Sequence, residues 1–299
     1  MKIGYIGLGK MGLNMVERLL ERDYEIVAFA RKEESRQRAK DQGAETVSSE
    51  EEMVKALEPP RLIWIMVPYK AVDSVIEELK KYLEAGDTII DGGNSPYKES
   101  VRRGKELKEL GINFLDVGVS GGPGGARDGA AAMIGGEKKV YEKFEQLFKD
   151  ISVEGGYGYM GDQGAGHFVK MVHNGIEYGM MQAIGEGFEI MKKAPLNLNL
   201  TKISEVYRNG TVISSSLIDW MHKAFVEEGE DLKEISGEVS HSGEGLWTVE
   251  AAKEFGVPAK IIEESLQFRI DSKGNPSYTG QVVSALRNQF GGHEVKKKK

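Results

Sequence analysis

The chain has no cysteine among its 299 residues. Disulfides, thiolate nucleophiles and Cys-ligated metals are therefore excluded. Histidine is scarce, five in all, and its spacing matches no zinc site, so no metal is expected. Positive charge is not in excess either: 40 Lys and Arg face 47 Asp and Glu, a net charge of −7. That balance argues against nucleic acid and against an anionic membrane surface as partners. No hydrophobic run approaches the ~18 residues of a membrane span. Strand signal begins at Lys2, leaving no room for a signal peptide, so a cytoplasmic protein is expected. An anionic small substrate stays open if its cations are gathered locally. The length suffices for one large domain or two ordinary ones.

What is present in the first half is alternation. Residues 2–6 read as a strand, and Gly7, Leu8, Gly9, Lys10, Met11 and Gly12 follow at once, with a helix over 13–22. A G-x-G-x-x-G between strand and helix is the dinucleotide-binding context: Gly7 for the tight turn, Gly9 for approach to a pyrophosphate, Gly12 for helix–strand packing. Strand two, 25–29, ends in Ala30, Arg31 and Lys32. An acid there would bind the ribose 2′-OH of NAD; two cations suit the 2′-phosphate of NADP instead, and Arg31 can fork onto it. Further strands are read at 61–67, 87–91, 112–119, 130–134 and 157–160, and helices at 49–57, 71–82, 98–110 and 137–148. This is an α/β, doubly wound pattern. Val67, Asn94, Ser120, Gly121 and Gly122 fall with the glycine loop at strand carboxyl ends, where such sheets bind ligands.

From residue 164 onward the strand signals stop, and 164–193, 199–227 and 246–272 read as helices. The expected organisation is a Rossmann-type domain over 1–163, an all-α domain over 164–284 and a C-terminal tail over 285–299. On the first of these helices Lys170, His173, Asn174, Glu177 and Tyr178 stand at offsets 0, 3, 4, 7 and 8, one face of an α-helix. Val169, Val172, Ile176, Met180 and Ala183 fall roughly opposite, and Gly175 and Gly179 would admit a close neighbour. The reading is a largely buried helix with one polar stripe, whose groups must be paired or used.

These residues resemble the β-hydroxyacid dehydrogenases and, within them, 6-phosphogluconate dehydrogenase of the shorter-chain kind. The broad pattern lies in residues 7–12, in 114–122 and in 164–170; the narrower one in Lys170-Met171-Val172-His173-Asn174-Gly175-Ile176-Glu177-Tyr178 and in Asp91-Gly92-Gly93-Asn94-Ser95. The resemblance implies oxidative decarboxylation of 6-phosphogluconate to ribulose 5-phosphate and CO2 with reduction of NADP, a step of the pentose phosphate pathway, with NAD as the alternative cofactor. It implies Lys170 as the base on the C3 hydroxyl and Glu177 as the acid that protonates C1 after the carboxylate leaves. Ser120, Gly121, Gly122, His173 and Asn174 would hold the sugar acid, with Asn94 between cofactor and substrate. Tyr178 and Arg269 would reach the phosphate, and Arg287 and His293 would complete that site from the partner subunit of a homodimer or dimer-based oligomer. The residue chemistry agrees. A free Lys titrates near ~10.4, and burial or a nearby cation would lower that toward a usable base. Glu177 lies two helical turns from Lys170, about 10 Å along the axis.

The chain also departs from the pattern. Ser242 and Glu244, in His241-Ser242-Gly243-Glu244, stand where long-chain members carry a Lys and a Thr that touch substrate. Met180 replaces an Asp, and Ala30 and Lys32 differ from the usual neighbours of the 2′-phosphate arginine. The alternatives are another β-hydroxyacid dehydrogenase acting on a small non-phosphorylated 3-hydroxy acid, which would not need Arg269, Arg287 and His293, and a non-catalytic dinucleotide-binding protein, which would not need Lys170 and Glu177.

Overall fold

Strand–helix alternation closes into one sheet. In the computed structural model, which describes residues 1–292, the strands are β1 (Lys2–Ile6), β2 (Glu25–Phe29), β3 (Glu45–Thr46), β4 (Leu62–Ile65), β5 (Thr88–Asp91), β6 (Asn113–Ser120), β7 (Ala130–Gly136) and β8 (Ser152–Gly161). Their spatial order is β3-β2-β1-β4-β5-β6-β7-β8. The pairs are parallel except β6 with β7. The helices between them are α1 (Lys10–Leu20), α2 (Glu33–Asp41), α3 (Glu50–Lys55), α4 (Tyr69–Leu79), α5 (Tyr97–Glu109), α6 (Gly122–Asp128), α7 (Lys138–Lys143) and α8 (Glu145–Ile151). β1 and β4 are neighbours that lead away in opposite directions, so a crevice opens at their carboxyl ends. Both faces are covered: Tyr5, Trp64 and Phe148 pack on one side, Ile63, Ile65, Val72 and Ile89 on the other. That is why β4 reads as an unbroken apolar run.

The remainder is helical: α9 (Ala165–Lys193), α10 (Leu200–Arg208), α11 (Ser216–Glu228), α12 (Glu244–Glu254), α13 (Lys260–Asp271) and α14 (Tyr278–Gly291). Among the described residues no helix is long and apolar enough to cross a membrane. By contacts the chain divides after Met171, eight residues beyond the expected boundary at 163. The first turns of α9 belong with the sheet because strand residues hold them. Core residues of the second unit include Met181, Phe188, Met221, Phe225, Val282 and Leu286.

Several boundaries differ from the sequence reading, each for a local reason. Residues 199–227 form two helices, with Gly210 at φ +79° between them and Ser215 capping α11 at the Ile218 N–H. Residues 246–272 likewise break at Gly256, φ +68°, just ahead of Pro258. Short α2 and β3, and the glycine-rich α6, carried too little periodic apolar signal to be read. The expected tail from 285 is instead the end of α14, where Thr279 to Arg287 are all buried. A helix buried all round shows no amphipathic stripe. Its small Gly280 lets it approach the Gly237 carbonyl, where a β-carbon would sit 1.9 Å from the oxygen. His293 lies outside the described residues.

α14 is tied to α9 by Glu189, which accepts from the Thr279 N–H at 2.9 Å and hydroxyl at 2.5 Å and pairs with Lys193 at 2.6 Å. Lys193 first, then Thr279, hold its carboxyl below the ordinary range. A depressed folded-state pKa contributes stability above the unfolded value that is lost as pH falls through the folded one. Glu189→Gln is therefore expected to destabilise by about 1 kcal/mol at neutral pH, with the difference closing below about pH 4. Urea midpoints of both proteins at the two pH values check this; a pH-independent difference would contradict it.

Candidate active site

The loop after β1 needs its glycines. Gly7 has φ +106°, and a β-carbon there would lie 2.2 Å from the Met66 carbonyl oxygen; one at Gly12 would lie 1.9 Å from that of Gly7. Gly9 differs: a β-carbon there would meet nothing within 4 Å. Gly9 is also the N-cap of α1, and no side chain caps that end. Leu8, Lys10 and Met11 complete the turn. Space above a bare helix N-terminus, with its free N–H groups and positive dipole end, fits a pyrophosphate. At the end of β2, Arg31 and Lys32 are exposed, and the Arg31 guanidinium has no ion-pair partner among the described residues. The sequence reading missed Arg36, which folds back so that Nη1 donates to the carbonyls of Ala30 at 2.6 Å and Arg31 at 3.2 Å. It braces the backbone that presents Arg31.

Val67 and Asn94 lie on the loops after β4 and β5, and one buried arginine ties the two loops together. Arg103 on α5 donates to Asp73 at 2.8 Å, to the Tyr69 carbonyl at 3.4 Å, to Ser95 at 3.1 Å and to Asp91 at 3.4 Å. Asp91 in turn accepts from the Gly93 N–H and the Ser95 hydroxyl. Asn94 is left at the exposed crest of this braced turn. Ser120 ends β6, and Gly121 and Gly122 turn the chain at φ +118° and +64°.

Lys170 is placed by β6. Asp116, fully buried, accepts from the Gly164 N–H at 2.7 Å, the His167 N–H at 2.8 Å and Gln163 Nε2 at 2.8 Å. The two backbone N–H groups are donors at the start of α9, which a helix cannot satisfy internally, and the Gln163 side chain adds a third. Gly166 and Gly118 bring helix and strand into direct contact: a β-carbon at Gly118 would sit 2.3 Å from Lys170 Cβ. Lys170 is buried there, 7% exposed. His167 fixes the same turn to α5 through Ser100 Oγ, 2.7 Å from Nδ1.

In the second unit α9 continues with His173, Asn174, Glu177 and Tyr178. His173 Nδ1 is 3.0 Å from Asn174 Oδ1 and 3.9 Å from Glu177. The polar stripe is buried as expected, but the opposite face is not. Ile176 and Met180 are 54% and 44% exposed, whereas Asn174 and Tyr178 are buried. The reason is that α12 packs on the polar side: β-carbons at Gly175 and Gly245 would strike Thr248 at 2.6 Å and the Tyr178 ring at 2.4 Å. A β-carbon at Gly179 would lie 3.3 Å from Ile261 Cγ2, a tight contact that a small shift of that side chain would relieve.

Arg269 lies over the Tyr178 ring, Cζ 3.3 Å from its centroid. It is 2% exposed, and both terminal nitrogens lack a hydrogen-bond partner. Desolvation, against the Tyr178 contribution and with help from Arg287, pushes its pKa down to about 10. Burial also raises the Tyr178 phenol and lowers Arg287. Arg287 Nη1 donates to Ser240 Oγ of its own chain at 2.8 Å. Arg287, which the sequence reading gave to a partner's phosphate site, lies on the packed helix α14, and its charge acts on Arg269 of the same chain. Two buried guanidinium groups, one with both terminal nitrogens unused, are chemically suited to an anion.

Comparison with known proteins agrees with this geometry. The family model for the NAD binding domain of 6-phosphogluconate dehydrogenase matches residues 2–161, and that for the C-terminal domain of the same enzyme matches 166–277. The chain belongs to the 6-phosphogluconate dehydrogenase family. It is 45% identical over 298 residues to a putative 6-phosphogluconate dehydrogenase, YqeC, of Bacillus subtilis, covering all of both chains. It is 41% identical to the NAD(+)-dependent, decarboxylating enzyme of Haloferax volcanii, covering 100% of this chain and 99% of that one. The Plasmodium falciparum 6-phosphogluconate dehydrogenase, solved apo, with NADP+ and with 6-phosphogluconate, superposes with a TM-score of 0.82 at 31% identity, covering 96% of this chain and 70% of that one. As a family member the chain is an oxidoreductase with a nicotinamide-dinucleotide domain. Within that frame Asp116 is the residue sequence reasoning should have found: a lone carboxylate inside Phe114-Leu115-Asp116-Val117 has to be paired.

Gly118→Ala is expected to push Lys170 off its position. A displacement near 1 Å should cost about 10²-fold in kcat, with dinucleotide affinity unchanged. Steady-state kinetics with a dinucleotide titration check this; kcat near the unmodified value would contradict it.

Proposed function

We propose that the chain oxidises and decarboxylates 6-phosphogluconate to ribulose 5-phosphate and CO2, with NADP as the preferred cofactor. The observation that carries the substrate is the buried, unpaired Arg269 stacked on Tyr178, with Arg287 beside it. A non-phosphorylated hydroxy acid gives no reason to bury two guanidinium groups without a carboxylate partner. NADP is supported by Arg31 and Lys32 at the end of β2, with no acid there and Arg36 bracing the turn.

A bound nicotinamide supplies the hydride acceptor. The protein's part is proton handling and placement. Neutral Lys170 Nζ takes the proton of the C3 hydroxyl as C3 is oxidised. The resulting β-keto acid loses its carboxylate as CO2, and Glu177 delivers a proton to the carbon that becomes C1 of the pentulose. Lys170 and Glu177 are seven residues apart on α9, about 10 Å along the axis, so long side chains can address C3 and C1 of one sugar. Asn94, Ser120, Gly121, Gly122, His173 and Asn174 orient the acid in this reading. A homodimer, or an assembly built of dimers, belongs to the same proposal: Ile176, Met180, Ile190, Val212 and Ile213 stay exposed, several of them lining a groove of about 570 Å³, as expected of a face that another copy covers.

The test offers 6-phosphogluconate with NADP+ and NAD+ separately, following reduced cofactor and released CO2 together. One CO2 per reduced cofactor is expected, with the higher kcat/KM for NADP+. Arg31→Ile should cost on the order of 10-fold or more in NADP+ affinity. Reduction without CO2 would refute the reaction, and higher kcat/KM with NAD+ would refute the reading of Arg31.

A further inference from the structure

The phosphate site proposed above draws its cations from α13 and α14. The segment entering α12 lies against the same groups. Ser240 Oγ accepts from Arg287 Nη1 at 2.8 Å, Ser242 Oγ donates to Glu244 Oε2 at 2.7 Å, and Gly245 abuts the Tyr178 ring that carries Arg269. Between these anchors sits His241, half-buried, with Nδ1 fully buried and without a hydrogen-bond partner. The charged groups acting on it are Arg269 of α13, Lys273 just beyond that helix, Arg287 of α14 and Glu244 of α12.

We infer that His241 is a further ligand of the substrate phosphate and that it takes up a proton as the phosphate binds. Three cations against one carboxylate, together with burial, disfavour an imidazolium in the free protein; burial is the larger cause holding its pKa below the ordinary histidine range. A phosphate dianion arriving among the same groups reverses that balance. It offers the unused Nδ1 an acceptor and rewards a positive ring. The segment thereby supplies a cation on a stretch that otherwise has Ser242 and Glu244. By linkage, phosphate binding above the free histidine's titration range consumes a proton, and affinity falls as pH rises through the histidine pKa of the complex.

The inference rests on the phosphorylated-substrate reading, and the test separates the two. The full-length protein is titrated calorimetrically with 6-phosphogluconate, and separately with gluconate, in two buffers of different ionisation enthalpy. The pH is about 7.5, where a phosphomonoester is already mostly dianionic. The unmodified protein should prefer 6-phosphogluconate and take up a fraction of a proton per site. His241→Asn and His241→Gln should each lose that uptake and about 10-fold of the 6-phosphogluconate affinity, while gluconate and dinucleotide affinities stay put. A dinucleotide titration of both variants shows that they are folded. If the unmodified protein binds gluconate as well as 6-phosphogluconate, the substrate reading falls and this inference with it. If it prefers 6-phosphogluconate but shows no proton uptake, or if both variants keep the uptake and the affinity, only the inference about His241 falls.

Discussion

The contact on which the arrangement depends is the buried Asp116 carboxylate at the start of α9. An isolated carboxylate in a fully buried strand costs several kcal/mol. Here three N–H donors offset it, each worth about 1.5–3 kcal/mol as a bond to a charged group. The helix needs an acceptor for its first N–H groups and the strand needs donors for its carboxylate, so each solves the other's problem. Because Gly118 and Gly166 remove the intervening side chains, the result is a helix start fixed against the sheet at backbone distance, with Lys170 one turn beyond it. Position of a proton-transfer group matters more than its mere presence.

Farther along, the chain accepts the opposite condition. Arg269 is desolvated and unpaired, and only the Tyr178 ring face lies beneath it. A cation–π contact returns about 2 kcal/mol when desolvated, less than burial of an ion costs. An uncompensated buried charge of this kind is a strained resting state that an anionic ligand relieves, and so the site can discriminate by charge. The net charge of −7 is a property of the whole chain, whereas Arg269 and Arg287 are gathered and buried within the helical unit.

Much of this was legible in the sequence, and the failures have physical causes. The glycine loop, the central strands and the polar face of α9 follow from steric need and period, which act locally. The α14 helix was illegible because burial on every side erases the stripe by which a helix is read. For α9 the buried polar stripe was visible, but the exposure of the face opposite was not. Ordinarily the apolar face turns inward, yet Gly175 and Gly245 let α12 pack on the polar side and leave Ile176 and Met180 outside. The Asp116 anchor and the Arg103 brace depend on residues far apart in the chain, and no local pattern marks such partners. Arg287 illustrates the same limit, since its neighbour Arg269 is known only once α13 and α14 are packed.

The central claim is that Lys170 is the base of the oxidation step. Its most direct test is a single-turnover measurement of hydride transfer by Lys170→Met, with excess protein carrying saturating NADP+ and 6-phosphogluconate. The account predicts intact cofactor binding and a loss of about 10²–10⁴-fold in the rate of cofactor reduction, the range for removing one general acid–base group. Cofactor reduction at close to the unmodified rate would contradict it.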